Sequence, residues 1–383
     1  MKVVYITYPW FLDFSIEYIR ELSKRVELYV FVLTSEGKLS STIFNLKQIP
    51  ENNVKDKYSF DELKDSLKDA ELFEAYIKDC KGFEFVFFPK KRVGTKGLQK
   101  NRKLGRKINV IGPDVVHFDD VSIELFALPL FIRCKKWVID VHDPKPHSGE
   151  EDWRRKLIRT IMYPKAKLFL TFSQHSKKVF ESVYGVTKPV FNLSLVPYTF
   201  YNLYKEAAEH GGITGDYILF IGRVSQYKGV EDLLKSFKKM APQHPGLKLV
   251  IAGKWKKNFS VSEGLLEGKN VVIINRFLEN EEVASLIRNC RAVVCPYKDA
   301  TQSGVVMTTF GIKKNVVVSN VGGLPETVYP ESGLVYDRTK ENGLNEALSS
   351  LLLNQKNGLK FKDIKQISPE YNTEKLVKLY QKI

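Results

Sequence analysis

Residues 217–229 read Tyr-Ile-Leu-Phe-Ile-Gly-Arg-Val-Ser-Gln-Tyr-Lys-Gly. An apolar run of β-forming residues, Tyr217–Ile221, enters a short loop that opens with Gly222-Arg223 and closes with Lys228-Gly229. Val230, Leu233, Leu234 and Phe237 then recur at helical spacing. A strand that passes through a glycine loop into a helix lets backbone amides approach a phosphate, with the helix N-terminus behind it. Arg223 offers a planar fork and Lys228 a point charge, a pair suited to a diphosphate. One lysine before a helix is commonly only solvated; the whole unit together points to anion binding.

A second loop repeats the logic. Cys295-Pro296-Tyr297 closes an apolar strand, and residues 299–306 lead into an apolar helix. Gln302 and Ser303 bring side-chain donors, and the amides of Ser303, Gly304 and Val305 fall at the helix start. An ordinary serine cap is the plain alternative. Two such loops in one half argue for a nucleoside diphosphate.

Outward from this stretch, short strand-like runs alternate with amphipathic helical segments, the pattern of parallel sheets covered by helices. In the second half the runs are Tyr217–Ile221, Leu247–Ala252, Val271–Ile274, Ala292–Pro296 and Val316–Ser319. The first half offers Val3–Tyr8, Leu28–Leu33, Phe83–Phe88, Val115–Phe118, Trp137–Val141, Leu168–Phe172 and Val190–Leu195. The expected fold class is α/β, with two Rossmann-like doubly wound domains in tandem. Their expected extents are 1–210 and 211–365, with a helix over 366–383 packing back on the first. The 383 residues are enough for two cores.

At these residues the second half resembles the donor-binding domain of a family-4-type retaining glycosyltransferase with the GT-B fold. The resemblance rests on YILFIGRVSQYKG, LKLVIAGK, INRFLENEEVASLI, AVVCPY, ATQSGVV and NVGGLPETV, in order, and more weakly on PDVVHF and VHDPKPHSGE. It implies two domains facing across a cleft, a UDP- or GDP-sugar donor as substrate, no cofactor and no obligatory metal. By the same resemblance Arg223 and Lys228 hold the donor diphosphate and neutralise the leaving group. Gly222, Gln302, Ser303, Gly304, Val305, Arg276 and Phe277 complete the donor side. The implied acceptor is a glycan, free or linked to polyprenyl diphosphate, in cell-surface polysaccharide synthesis.

The chain departs from that family in two places. The usual pair of glutamates seven residues apart aligns with Ala300 and Thr308, so carboxylate recognition of sugar and ribose is lost. A catalytically silent nucleotide-sugar-binding or scaffold protein is therefore the alternative. The usual glycine-rich loop after the first strand is replaced by Tyr8-Pro9-Trp10-Phe11-Leu12, with Trp10 a candidate platform on the acceptor side.

His142-Asp143 ends the Trp137–Val141 run, and His147, Ser148 and Glu150 follow in a loop whose prolines exclude a helix. The resemblance makes His142 a sugar-positioning group, through ring or carbonyl, and puts Asp143, His147, Ser148 and Glu150 on the acceptor side. His117, in PDVVHF, is expected to pack or hydrogen-bond near the same edge.

Sixty basic residues against forty-four acidic ones give a net charge of +16. Nine basic residues and no acid occupy Lys90–Lys107, and a second cluster spans Arg154–Lys167. These are solvated helix faces or a patch for an anionic membrane surface; no nucleic-acid motif or interleaved stacking aromatics accompany them, so no nucleic-acid partner is expected. Four cysteines without zinc spacing are expected to be reduced. No apolar run approaches the ~20 residues of a membrane span. The start, MKVVYITYPW, lacks a signal-peptide pattern, so the expected location is the cytoplasm, with peripheral attachment to the inner face of a membrane.

Overall fold

The first run, Lys2–Thr7, forms strand β1 and is buried from Val3 onward, as a strand covered on both faces by helices must be. In the computed structural model, residues 1–35, 43, 57–89, 92–145, 153–205, 213–257, 259–356 and 361–383 are described. They form two units, Met1–Ser194 with Pro369–Ile383, and Leu195–Ser368.

In the first unit β1 is followed by β2 (Glu27–Ser35), β3 (Lys57–Ser59), β4 (Gly82–Phe88), β5 (Val115–Phe118), β6 (Trp137–Asp140), β7 (Ala166–Thr171) and β8 (Val190–Asn192). The sheet order is β3-β4-β2-β1-β5-β6-β7-β8, with only β3 antiparallel to its neighbour. The chain leaves β1 toward β2 and β4, then returns to its other side as β5. The winding therefore reverses between β1 and β5, where the carboxyl ends of the strands leave room for a ligand.

The second unit holds β9 (Tyr217–Ile221), β10 (Lys248–Ala252), β11 (Val271–Ile274), β12 (Ala292–Cys295), β13 (Val316–Ser319) and β14 (Gly333–Tyr336), all parallel, in the order β11-β10-β9-β12-β13-β14. Its winding reverses between β9 and β12, the two strands that run into the glycine loop and the Gln302-Ser303 loop. The helix Val230–Met240 buries Val230, Leu233, Leu234, Phe237 and Met240, with Glu231 and Asp232 in its first turn and Lys238 and Lys239 in its last. That charge order complements the helix dipole at both ends. Each buried Leu or Phe on this face contributes about 1.5–3 kcal/mol.

Two strands escape a sequence reading. β3 is three residues with no apolar run. β14 is four residues opening on Gly333, where a side chain would lie 2.2 Å from the Val316 carbonyl oxygen. The break between units falls at Ser194/Leu195 rather than at residue 210. Tyr198 N donates to Met307 O at 3.1 Å, Asn202 Nδ2 donates to Gly311 O at 2.6 Å, and a side chain on Gly311 would strike Tyr198 O at 2.1 Å. These contacts build the segment after Leu195 into the second unit. The chain returns at Pro369, two residues beyond Ile367, and the helix Pro369–Lys382 lies on the helix Leu12–Ser23 within the first unit.

Candidate functional site

In the second unit the loop after β9 is shaped by close approaches. Gly222 has φ 119°, and its carbonyl oxygen lies where a Cβ on Gly253 would come within 2.1 Å, so the loops after β9 and β10 are in backbone contact. Val224 N donates to Lys254 O at 3.0 Å and fixes the same pair. Gly229 has φ 69°, and a Cβ there would sit 1.8 Å from Pro296 O, which ties the loop to the end of β12. Lys298 N donates to Tyr227 O at 2.6 Å beside it. Only glycine meets both the left-handed φ and the close approach at 229.

This knitting places Lys228 over the ring of Tyr297, with Nζ 3.7 Å from the ring centroid and 5.0 Å from that of Tyr227. The contact is a cation–π pair on a buried tyrosine. Burial is the main reason the Lys228 ammonium is pulled down to about 8; Cys295 works the other way and the charge of Arg223 adds to the fall. Arg223 itself is exposed. An ammonium held with too little solvation is a site that gains from an incoming anion.

On the other side of the reversal, Ser303 caps the helix Gly304–Gly311, its Oγ accepting from Val306 N at 3.4 Å and lying 3.4 Å from the Tyr297 hydroxyl. Gly222 meets this helix: a Cβ there would be 3.5 Å from Val305 Cγ2. Gly222, Lys228, Ser303, Gly304 and Val305 are thus brought together around Tyr297 and Pro296, which sequence reasoning had treated only as the end of a strand. Ala300 is buried, its carbonyl 1.6 Å from where a Cβ on Gly322 would be, and Thr308 donates to Gly304 O at 3.0 Å. Arg276 and Phe277 follow the edge strand β11. Arg276 makes a fork with Glu282 at 2.5 and 2.7 Å, and Phe277 is 81% exposed.

In the first unit, the loop after β1 turns Trp10 outward, 57% exposed and stacked on buried Tyr8 at 4.9 Å. His142 takes the opposite direction. Its ring is 3% exposed, stacked between Phe11 at 4.0 Å and Phe172 at 4.9 Å, with Nε2 2.5 Å from Asp119 Oδ1. Asp119 also accepts from Thr7 Oγ1 at 2.6 Å and from Ser15 Oγ. Burial opposes the His142 charge, but Asp119, with Asp140 and Asp120 beyond it, outweighs burial and lifts the imidazole to about 9. The Asp119 contact therefore favours the charged form of the buried His142. Its ring is engaged inside the unit, which leaves only the backbone for the sugar contact expected of it. His117 does hydrogen-bond at this edge, with Nε2 2.7 Å from Asp140 Oδ1 and Nδ1 on the Tyr380 hydroxyl.

Asp119, Asp140 and His142 bring three ligand atoms within 4.8 Å of one another, a spacing a metal ion could bridge. All three are joined in the hydrogen bonds above, which a metal ion would have to displace together with any proton on the imidazole. Asp143 O and Pro144 O accept from buried Arg159 at 2.8 and 3.2 Å. His147, Ser148 and Glu150 lie outside the described residues, as do Lys90 and Lys91. The four cysteines are unpaired, and Cys290 and Cys295 are buried.

Residues 207–371 match the family model described as glycosyl transferases group 1. An uncharacterized glycosyltransferase of Methanocaldococcus jannaschii is 30% identical over 182 residues, which is 44% of this chain and 48% of that protein. A glycogen synthase of Mycobacterium tuberculosis is 27% identical over 139 residues, 35% of this chain and 33% of that one. The chain spans about half the length of the archaeal relatives it matches, or less of the glycogen synthase. Among solved structures, Anabaena HepE in complex with UDP aligns over 100% of both chains with a TM-score of 0.68 and 12% identity. Sucrose-phosphate synthase from Thermosynechococcus elongatus aligns over 100% of this chain and 99% of its own, with a TM-score of 0.65 and 14% identity. These likenesses show the fold, which is that of the GT-B glycosyltransferases.

Proposed function

We propose, from the match of residues 207–371 to the glycosyl transferases group 1 model, that the chain is a glycosyltransferase that moves a sugar from a nucleoside diphosphate sugar to a glycan or lipid-linked glycan, with retention of configuration. The observation that carries this reading is the under-solvated Lys228 ammonium on Tyr297, held at the β9/β12 reversal between a glycine loop and a capped helix start. That is where a diphosphate is expected in a doubly wound sheet.

In this reading Lys228 and Arg223 face the leaving diphosphate and gain most when its charge develops, so their interaction is strongest in the transition state. The anomeric carbon–oxygen bond to the diphosphate breaks, and the acceptor oxygen forms the new bond on the same face. The acceptor proton passes to the departing phosphate oxygen, so no pair of protein carboxylates is needed and no metal has to supply the charge. Phe277 offers an exposed plane for the base. HepE, solved with UDP, supports a UDP-sugar donor.

The acceptor is assigned to the first unit, beside Trp10. Attachment to an anionic membrane surface is part of the proposal. No helix among the described residues is long and apolar enough to cross a membrane. The helix Thr95–Ile111 does turn Lys96, Leu98, Arg102, Arg106 and Val110 outward, a basic and apolar face suited to lipid headgroups. Cell-surface polysaccharide is the product class that fits such an enzyme.

The test is thermal shift and calorimetry with UDP, GDP, ADP and CMP on the wild type and on Lys228→Ala, followed by turnover with the matching sugar. One diphosphate should bind and lose binding with Lys228. Binding by none, or binding indifferent to Lys228, overturns the proposal. Ala300 and Thr308, in place of two carboxylates, favour a second reading, a silent nucleotide-sugar binder; it is distinguished by donor binding without transfer to any acceptor.

A further inference from the structure

A groove of about 1020 Å³ in the first unit plays no part in the sites above, and its volume is that of a large small-molecule site. One bank is the helix Trp153–Met162, about 15 Å long, with the turn Tyr163–Lys165 beyond it. The other bank is the end of the helix Gln174–Tyr184 and the segment 185–188. The floor is aromatic: the rings of buried Phe169 and Tyr163 lie 5.0 Å apart, and those of Tyr163 and Tyr184 5.5 Å apart. Trp153, 67% exposed, and Val183, 43% exposed, carry the apolar wall to the surface. Two polar atoms of lining residues, Tyr163 Oη and Arg159 Nε, are buried without a hydrogen-bond partner among the described residues. A buried donor left unpaired costs stability and is a mark of a missing occupant.

The charge in the groove is uneven. No described lining residue is acidic. Arg155 and Lys156, in the first turn of the helix beside Trp153, make no ion pair among the described residues. At the far end Lys188 Nζ donates to Tyr163 O at 3.2 Å, to Ala166 O at 2.7 Å and to Pro164 O, so its ammonium is committed to the backbone and closes that end. One end thus offers two cations, a fork and a point charge, and the rest offers rings and methyl groups. A nucleic acid would need cations along the whole length, and a sugar would need polar partners along the walls. The complement is a molecule with an anionic head and an apolar tail.

We propose that this groove binds one lipid phosphate, its phosphate on Arg155 and Lys156 and its chain on Val183, Tyr184, Tyr163 and Phe169. The site lies within the first unit and does not rest on the glycosyltransferase reading.

The probes are farnesyl phosphate and dodecyl phosphate, titrated by calorimetry into the full chain below the concentrations at which they aggregate, with and without excess UDP. Farnesol and inorganic phosphate are the controls. At least one lipid phosphate should bind, at least tenfold more tightly than farnesol, and inorganic phosphate should not compete. Arg155→Gln/Lys156→Gln should weaken the lipid phosphate about tenfold or more and leave farnesol unchanged, as the loss of charge-assisted hydrogen bonds predicts. Val183→Asp, at an exposed position, should weaken lipid phosphate and farnesol alike; Trp153→Ala, more exposed still, gives the same reading if Val183→Asp lowers the melting temperature. Binding by neither lipid phosphate, farnesol binding as tight as farnesyl phosphate, or binding that ignores these substitutions overturns the inference. Displacement of the lipid phosphate by UDP overturns it too, because the probe would then sit at the donor loop. Lipid phosphate binding without any UDP binding leaves this inference standing and overturns only the donor reading.

Discussion

Replacing Lys228 by methionine should make the protein more stable and unable to hold its donor. The ammonium falls from 10.5 to about 8 on folding, chiefly through burial. At about 1.4 kcal/mol per pH unit, keeping it charged at pH 7 costs the fold about 3 kcal/mol. The contact with Tyr297 at 3.7 Å returns about 1–2 kcal/mol of that. Methionine, of similar length and without charge, should thus stabilise the second unit by about 1–2 kcal/mol, which raises its melting temperature by about 2–8 °C. The pH dependence has a definite sign. Between about pH 8 and 10 the unfolded lysine binds more protons than the folded one, so wild-type stability rises with pH in that window. The same deprotonation removes the charge a diphosphate needs, so UDP affinity falls across it. The Met variant should show neither trend and no UDP-induced shift. Scanning calorimetry of both proteins with and without UDP at pH 7 and pH 9.5 reads all of this. A variant that melts lower than the wild type and keeps its UDP shift refutes the reasoning, because Lys228 would then be a structural cation.

Four further outcomes follow from the geometry. Arg223→Ala, at an exposed position, should lower turnover by about a hundredfold with an unchanged melting temperature, the signature of charge stabilisation of the leaving group. Gly229→Ala should cost about 1–3 kcal/mol and abolish UDP binding, because it combines φ 69° with a clash on Pro296 O; denaturant unfolding with and without UDP measures both. One of the six histidines should titrate near pH 9 by NMR and vanish in His142→Gln. Since its folded value is raised, its stabilisation is complete below about pH 6.5 and disappears as pH rises through 9. Lys96→Gln/Arg102→Gln/Arg106→Gln should lower sedimentation with phosphatidylglycerol vesicles by about a hundredfold, at about 1 kcal/mol per residue, without affecting UDP binding.

The sequence was most informative where chemistry and chain geometry coincide locally. The pieces around Gly222, Lys228 and Ser303 are contiguous, and each carries its own signal: a run of β-formers, a glycine at a forced φ, a serine before a helix. Their meeting at Tyr297 was not legible, because it depends on the strand order that puts β9 beside β12, two strands seventy residues apart. The first unit shows the opposite case. His142 was legible as a residue at a strand end, but a strand end does not say which way a ring turns. Asp119 decides that. It is held by Thr7 from β1 and Ser15 from the following helix, and it takes the His142 Nε2 hydrogen bond on the inner side. Arg276 is a donor-side residue by the resemblance alone, and the sequence does not tell that Glu282, six residues on in the next helix, holds its fork. Arg92 and Arg154 were visible only as members of charge runs. The residues most open to misreading from sequence are therefore the charged ones, whose partners lie on other strands and helices. The glycines divide the same way: a positive φ, as at Gly229, belongs to the loop that carries it, while the close approach to Pro296 O comes from another strand's end.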